Sequence, residues 1–259
     1  MSKTKLGQHF LTDQRVVEEE LSLAQLSVRD VVLEVGPGKG ILTKQLANQC
    51  QQVIAVELDT QLISFLQSIL PENVILFNRD IMDVSWNEIP SFTKVVANLP
   101  FQISSPFTFK LFSTSFEKAV LIYQKEFAQR MIAKPGSKQY SRLSVGIAYK
   151  ARCRIVTTIP PSSFSPPPEV SSSLVELIPN KNPPFNVVDE QFFFHITKLL
   201  FSHRRKQIKT ILKNSFSKPI YNQVSFFSER VERLTPEQIG SLSNELYPYK
   251  SYLFENKPN

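Results

Sequence analysis

The chain has 259 residues, 42% hydrophobic and 20% charged, a composition ordinary for a globular protein with one large domain and a small one. Its net charge of +7 is uneven: residues 1–180 hold 18 Lys+Arg against 16 Asp+Glu, whereas residues 181–259 hold 12 against 7. That surplus favours a polyanionic partner over a membrane, since no apolar run approaches the roughly 20 residues of a span. Cys50 and Cys153 lie outside any CxxC or Cys/His spacing, so neither a disulfide framework nor a metal site is expected. The first residues have no apolar leader core, and a cytoplasmic location is expected.

From residue 30 the chain alternates β and α signals. Val31-Val32-Leu33-Glu34-Val35 reads as a buried strand closed by a glycine turn, and residues 41–47 as a helix. Val53-Ile54-Ala55-Val56-Glu57 is a second strand, after which Asp59 can cap a helix running to Leu70. Val74 to Phe77 is a third strand, Lys94 to Ala97 a fourth, and Ala119 to Tyr123 a fifth, followed by a helix over 125–133. Short apolar strands alternating with helices predict an α/β fold with a parallel sheet covered on both faces. Two later strands, over 154–158 and 174–177, can form an antiparallel edge, joined by the stiff loop 160–168 with its five prolines. After a Pro/Asn-rich linker, helical periodicity over 192–201, 206–216 and 236–246 predicts a small helical domain, with Thr235 as N-cap ahead of Pro236. The boundary is placed at residue 180.

Four strand ends carry the candidate chemistry. Glu34-Val35-Gly36-Pro37-Gly38-Lys39-Gly40 follows the first strand, and its glycines let the backbone approach a ligand. Taken alone, this loop also suits a tight turn or a dinucleotide site. Glu57, 21 residues after Gly36, can accept from both hydroxyls of a ribose, and Asp80 follows the third strand where it could accept from an adenine amino group. In an open α/β sheet these ends share one crevice, and their joint order points to a methyl donor, S-adenosylmethionine.

Asn98-Leu99-Pro100-Phe101 follows the fourth strand. An adenine N6 lone pair is delocalised into the ring and is a poor nucleophile. Two acceptors aimed at the N6 hydrogens would draw the nitrogen toward tetrahedral geometry and free the lone pair. The Asn98 side-chain oxygen can be one, and the Pro100 or Leu99 carbonyl the other. Phe101 offers a flat face for the base.

Taken over nearly its full length, the chain resembles the KsgA-type small-subunit ribosomal RNA adenine N6,N6-dimethyltransferases. The resemblance is carried by Leu6-Gly7-Gln8-His9-Phe10-Leu11, by the glycine loop, by Glu57-Leu58-Asp59 and by Asn98 to Pro106. Further stretches are Gln124-Lys125-Glu126, Lys134 to Lys138 with Tyr140 to Val145, Phe164 to Ser173, and Phe201 with Arg204-Arg205-Lys206. It implies a Rossmann-like methyltransferase domain with a helical C-terminal domain. The activity implied is dimethylation of two adjacent adenosines near the 3′ end of small-subunit rRNA, on an assembling subunit, by a monomer. It also implies that His9, Leu11, Gly36, Gly38, Glu57, Leu58, Asp80, Ile81 and Asn98 contact the methyl donor. His9 stands where Asn is frequent and Phe101 where Tyr is frequent; both keep a polar contact and a stacking face.

The nucleic-acid side is read from charge. Seven Lys and Arg and no acid lie between Lys198 and Lys218. Arg205, Lys209 and Lys213, spaced by four, are expected to share one helix face. Together with Arg204 and Lys206 they suit phosphate contacts, or simply a solvated helix. Phe164 can be a second wall of the base pocket or a core residue. A large-subunit rRNA adenine methyltransferase, a DNA adenine methyltransferase and a non-catalytic assembly factor are the alternatives. Lys134 to Lys138 with Arg142-Leu143-Ser144-Val145, the absence of a visible target-recognition domain, and the intact Asn98, Pro100 and Phe101 argue against them in turn.

Overall fold

A computed structural model describes residues 8–217 and 224–253; Leu6 and Gly7 of the opening motif and Lys218 of the basic stretch lie outside the described residues. In chain order the elements are β1 (Phe10–Leu11), α1 (Gln14–Ala24), β2 (Val31–Val35), α2 (Ile41–Ala47), β3 (Gln52–Glu57), α3 (Thr60–Ile69), β4 (Val74–Asn78), β5 (Lys94–Asn98) and α4 (Ser104–Leu111). There follow β6 (Lys118–Gln124), α5 (Lys125–Met131), α6 (Arg142–Lys150), β7 (Ala151–Ile159), β8 (Phe164–Ser165), β9 (Ser172–Pro179), α7 (Glu190–Phe201), α8 (Ile208–Ser215) and α9 (Pro236–Leu246). They form two compact units.

The first unit, up to Ala128 and again over Arg152–Pro179, holds a seven-stranded sheet of order β4-β3-β2-β5-β6-β9-β7. β4 through β6 run parallel, and β9 turns antiparallel against β6. Val32, Leu33, Val95, Val96, Ala97, Val120 and Leu121 are fully buried, which is why these strands read as unbroken apolar runs rather than alternating ones. The order reverses between β2 and β5, so the carboxyl ends of β2, β3, β4 and β5 open on one crevice.

Helix α1 packs on β5 and β6. It ends at Gln25 in left-handed geometry, and its last carbonyls are met by lysines. Lys94 Nζ donates to the Ala24 and Gln25 carbonyls and lies 3.3 Å from Asp30; Lys118 Nζ donates to Leu23 O at 3.0 Å and lies 3.3 Å from Glu176. A two-stranded ribbon pairs Phe10 with Ser165 and Leu11 with Phe164, tying the start of the chain to the proline loop.

The second unit packs α6, α7, α8 and α9 around Tyr140, Phe193, Ile196, Leu200, Ile208 and Leu242. Thr235 caps α9 as the sequence predicts, in a reciprocal box with Gln238. The expected boundary at residue 180 differs from this division in one respect: Gln129–Ala151 belongs with the helical unit. The reason is packing. Tyr140 donates its hydroxyl to Leu234 O at 2.8 Å, and Tyr149 stacks among Phe185, Phe193 and Phe194.

Lys94 is buried and held by Asp30 and two helix-end carbonyls, so Lys94→Met leaves two carbonyl acceptors unmet and removes the cation beside a buried carboxylate that keeps its bonds from Ser27 N–H and the Thr93 hydroxyl. A loss of about 3 kcal/mol is expected, read from denaturant midpoints. The double variant with Asp30→Asn should recover part of it.

Candidate active site

All the crevice residues lie in the first unit. After β2 the chain turns through Gly36 and Gly38 at φ 72° and 56°. A Cβ on Gly38 would sit 2.8 Å from the Phe10 ring, so the loop's closeness to the N-terminal segment depends on glycine there. Gly36 N–H donates to Val56 O at 2.9 Å, fastening the loop to β3. At the end of β3, Glu57 is buried, and its two carboxylate oxygens accept from Gly38 N–H at 3.1 Å and Asp59 N–H at 2.8 Å. Burial raises the Glu57 pKa and these backbone N–H donors oppose the rise.

The crevice has two lobes. Gln8, Gly36, Glu57 and Pro100 line both. The first lobe adds His9, Gly38, Asn98, Phe101 and Phe164; the second adds Leu58, Asp80 and Ile81. Asp80 Oδ1 accepts from Met82 N–H at 2.8 Å, which fixes the turn after β4. His9 Nδ1 donates to Pro166 O at 2.8 Å, and its ring stacks on Phe101 with centroids 6.0 Å apart.

The Asn98 side-chain oxygen is buried and has no hydrogen-bond partner. A buried amide oxygen without a partner is costly unless a ligand completes it. The Pro100 carbonyl accepts from Ile103 N–H at 3.1 Å in the turn that follows, which uses one of its two lone pairs. The crevice thus fits an adenosyl methyl donor. It has a glycine turn the backbone needs, a carboxylate at the end of β3, a polar residue at the end of β4, and an orphaned acceptor at the end of β5.

Most sequence-predicted site residues come together here, with one departure. Leu11 is absent from the lining of both lobes; it is buried in the core, where it pairs with Phe164. Phe10 takes the lining position instead, beside Gly38 and under Lys39, whose Nζ lies 5.2 Å from the ring centre. Strand alternation explains the swap, since adjacent residues of β1 face opposite ways. Phe164 is both things the sequence allowed: it is 5% exposed in the core, and it also lines the first lobe.

The basic residues belong to the second unit. Arg205, Lys206, Lys209 and Lys213 are exposed, but α8 begins only at Ile208, so Arg205 precedes the helix and does not share its face. Arg204 is engaged internally: its guanidinium donates to Lys138 O at 2.6 Å and Tyr140 O at 3.0 Å and lies 3.8 Å from Glu232. It serves to hold the 138–140 turn. Gly136 N–H likewise donates to Glu232 O at 2.7 Å, so the Lys134–Lys138 stretch is anchored within this unit.

Two residues the sequence reading left without a role, Glu20 and Glu34, are buried acids in the first unit. Burial pushes Glu34 up to about 8, nearby Glu57 adds to this, and the Thr43 hydroxyl offsets part of it. Among the described residues no group of three or more His, Cys, Asp or Glu side chains could hold a metal, and no helix is long and apolar enough to cross a membrane.

The parallel sheet, with its crevice at the strand reversal and its glycine turn, acid and Asn-Leu-Pro-Phe in sequence, defines a class I methyltransferase. The fold is shared with the 23S rRNA methyltransferase ErmE, at TM-score 0.69 and 24% identity over 92% of this chain and 99% of that one. The chain belongs to the ribosomal RNA adenine dimethylase family, whose profile matches residues 1–247. It is 44% identical to a probable ribosomal RNA small subunit methyltransferase A of Methanococcus maripaludis, over 94% of this chain and 97% of the relative. To the protein of that name from Methanosarcina mazei it is 42% identical, over 95% and 94%. A dimethyladenosine transferase from Plasmodium falciparum superposes with TM-score 0.81 at 27% identity, over 95% of this chain and all of that one.

The raised Glu34 pKa has a consequence for stability. Glu34 keeps its proton up to about pH 8 when folded, but releases it near 4.5 when unfolded. The folded state then binds more protons between these values, so stability falls as pH rises through that window and levels off above it. Glu34→Gln should flatten the fall in thermal melts across the window. An unchanged slope would mean that Glu34 is ionised in the folded chain.

Proposed function

We propose that this chain transfers methyl groups from S-adenosylmethionine to N6 of two adjacent adenosines near the 3′ end of small-subunit rRNA. The product is N6,N6-dimethyladenosine, made as a monomer in the cytoplasm, on an assembling subunit. The observation that carries this reading is Asn98: its side-chain oxygen, at the end of β5, is buried and unpartnered, and the residue lines the same lobe as Gly36, Gly38, Phe101 and Phe164.

S-adenosylmethionine would supply an electrophilic sulfonium methyl. Gly36, Gly38 and His9 would border the donor, Glu57 would meet its ribose, and Leu58, Asp80 and Ile81 its adenine. The Asn98 oxygen and the remaining lone pair of Pro100, or the Leu99 carbonyl, would accept the two N6 hydrogens of the target. This geometry draws N6 toward tetrahedral and aims its lone pair at the methyl. The base must leave its stack to reach the crevice, and Phe101 with Phe164 would replace the lost stacking. No strong base is needed, because the alkylated nitrogen is acidic and sheds its proton readily. Positioning and fixed dipoles then lower the barrier. On the second unit the exposed Arg205, Lys206 and Lys209 would contact phosphates, and Arg204 would act through the turn it holds.

Asn98→Ala is expected to abolish transfer to unmethylated small subunits while cofactor affinity stays within about threefold of wild type. The assay uses labelled S-adenosylmethionine, with large subunits and duplex DNA in parallel, and nucleoside analysis of the product. Label confined to small subunits as N6,N6-dimethyladenosine supports the reading; label in large subunits or DNA, or full turnover by the variant, rejects it. The paired variant Arg205→Ala with Lys209→Ala should weaken subunit binding and lower its salt slope by about 2, measured by titration at several salt concentrations.

A further inference from the structure

In the second unit the segment 227–232 runs antiparallel beside 204–209. Glu232 N–H donates to Arg204 O at 3.1 Å, and Gln207 forms a β-bridge with Arg230. Helix α8 starts just past this bridge without a side-chain cap, so its first N–H groups need acceptors from elsewhere. The neighbouring segment supplies them: Ile208 N–H donates to Glu229 O at 2.9 Å, and Lys209 N–H to Phe227 O at 2.8 Å. The chain enters this segment through Phe226 at φ 60°, a left-handed geometry that bulky residues rarely adopt. Phe226 packs against the core of the unit, whereas Phe227, the next residue, is 40% exposed. Among the described residues of this unit no other phenylalanine or tyrosine is exposed.

Resting on the phosphate contacts proposed above for this unit, we propose that Phe227 is a stacking platform for an unpaired base of the RNA. The cap on α8 uses only the Phe227 carbonyl, so any residue can provide it, and a ring left in water gains nothing from folding. The surroundings of that ring are cationic. Arg205, Lys206, Lys209 and Arg230 are exposed on the two paired segments, against one exposed acid, Glu229. A flat apolar face among cations matches both parts of a single strand, its phosphates and the open face of a base. Paired RNA offers the phosphates alone, because its bases are stacked on one another. A protein partner would call for a broader apolar patch, but the exposed chain neighbours of Phe227 are Ser225, Ser228, Glu229 and Arg230. The left-handed turn at Phe226 separates two successive aromatic residues, one inward and one outward. The two carbonyl bonds to α8 then hold the outward one beside Lys209. Every base has such a face, so the platform favours single strands without reading their sequence.

The test titrates the full chain with a single-stranded oligoribonucleotide and with an abasic strand of the same length, which keeps the phosphates and lacks the bases. Phe227→Ala should bind the base-bearing strand about tenfold more weakly, with its salt slope and its affinity for the abasic strand unchanged. Phe227→Tyr should stay within about twofold of wild type, since it keeps the ring. Phe227→Trp adds a fluorophore to a chain whose single tryptophan is Trp86, and its emission should be quenched by the base-bearing strand and not by the abasic one. Equal losses on both strands in Phe227→Ala would overturn the proposal, by making Phe227 a residue that holds the loop. Wild-type affinity of Phe227→Ala for the base-bearing strand would also overturn it and leave the phosphate contacts standing. If binding to whole small subunits weakened in that same variant, the ring would belong to a protein contact instead. A wild-type chain that binds neither strand would reject the phosphate reading itself, and the platform with it.

Discussion

The carboxylate of Glu57 joins the parts of the crevice that must stay in register. One oxygen accepts from the glycine loop at Gly38, the other from Asp59, whose own side chain caps α3. Loop, strand end and helix start are thus fastened to one rigid group, and Gly36 adds a further tie to β3 through Val56 O. Both bonds come from backbone N–H groups, so side-chain variation in the loop does not disturb them. Glu57, proposed above to meet the donor's ribose, is in this way held by two bonds of the fold itself. Pre-organisation of that kind removes the ordering cost that a mobile carboxylate would add to binding.

Behind this ordered surface lies an unusual density of unmatched polarity. Glu20, Glu34 and Asn98 all present buried oxygens without partners. A core built for stability alone would replace them with hydrocarbon, which makes no such demand. Two of these, Glu34 near the end of β2 and Asn98 at the end of β5, sit at strand ends that border the crevice, where stability and chemistry compete. Glu34 is held neutral there to about pH 8, so it adds hydrogen-bonding capacity beside the crevice without adding negative charge.

The parts of the fold that were legible in the sequence are those with local causes. β2, β3, β5 and β6 are continuous apolar runs, and α2, α3 and α9 are announced by glycine, Asp59 and Thr235 at their starts. The crevice followed from them, because strand ends in an alternating β/α chain have only one place to meet. What escaped was set by distance along the chain. Nothing local in residues 129–151 says that Tyr140 will reach Leu234, or that Arg204 will spend its guanidinium on the 138–140 turn. A basic residue in a basic stretch gives the same signal whether its partner is a phosphate or a backbone carbonyl. Glu20 was hidden for a related reason: beside Glu18 and Glu19 it reads as one more solvated acid, and only the rotation of α1 against β5 separates it from them.

Phe164 shows how such long-range pairing reaches the chemistry. Its neighbour across the ribbon is Leu11, and the two are buried together in the core. The same pairing brings the proline loop beside the N-terminal segment, where His9 donates to Pro166 O and stacks on Phe101. Thr12 N–H, donating to Ser163 O at 2.9 Å, extends the connection by one more residue. The aromatic faces of the first lobe are therefore held not by β5 alone but by a contact between residues some 150 positions apart. A change in this ribbon would shift Phe164 relative to Phe101, and because Phe10 of the same ribbon packs on Gly38 and Lys39 it would reach the glycine loop as well. The spacing of Phe164 and Phe101 and the seat of the glycine loop are thus coupled through one ribbon, so a change made anywhere along it is felt on both sides of the first lobe.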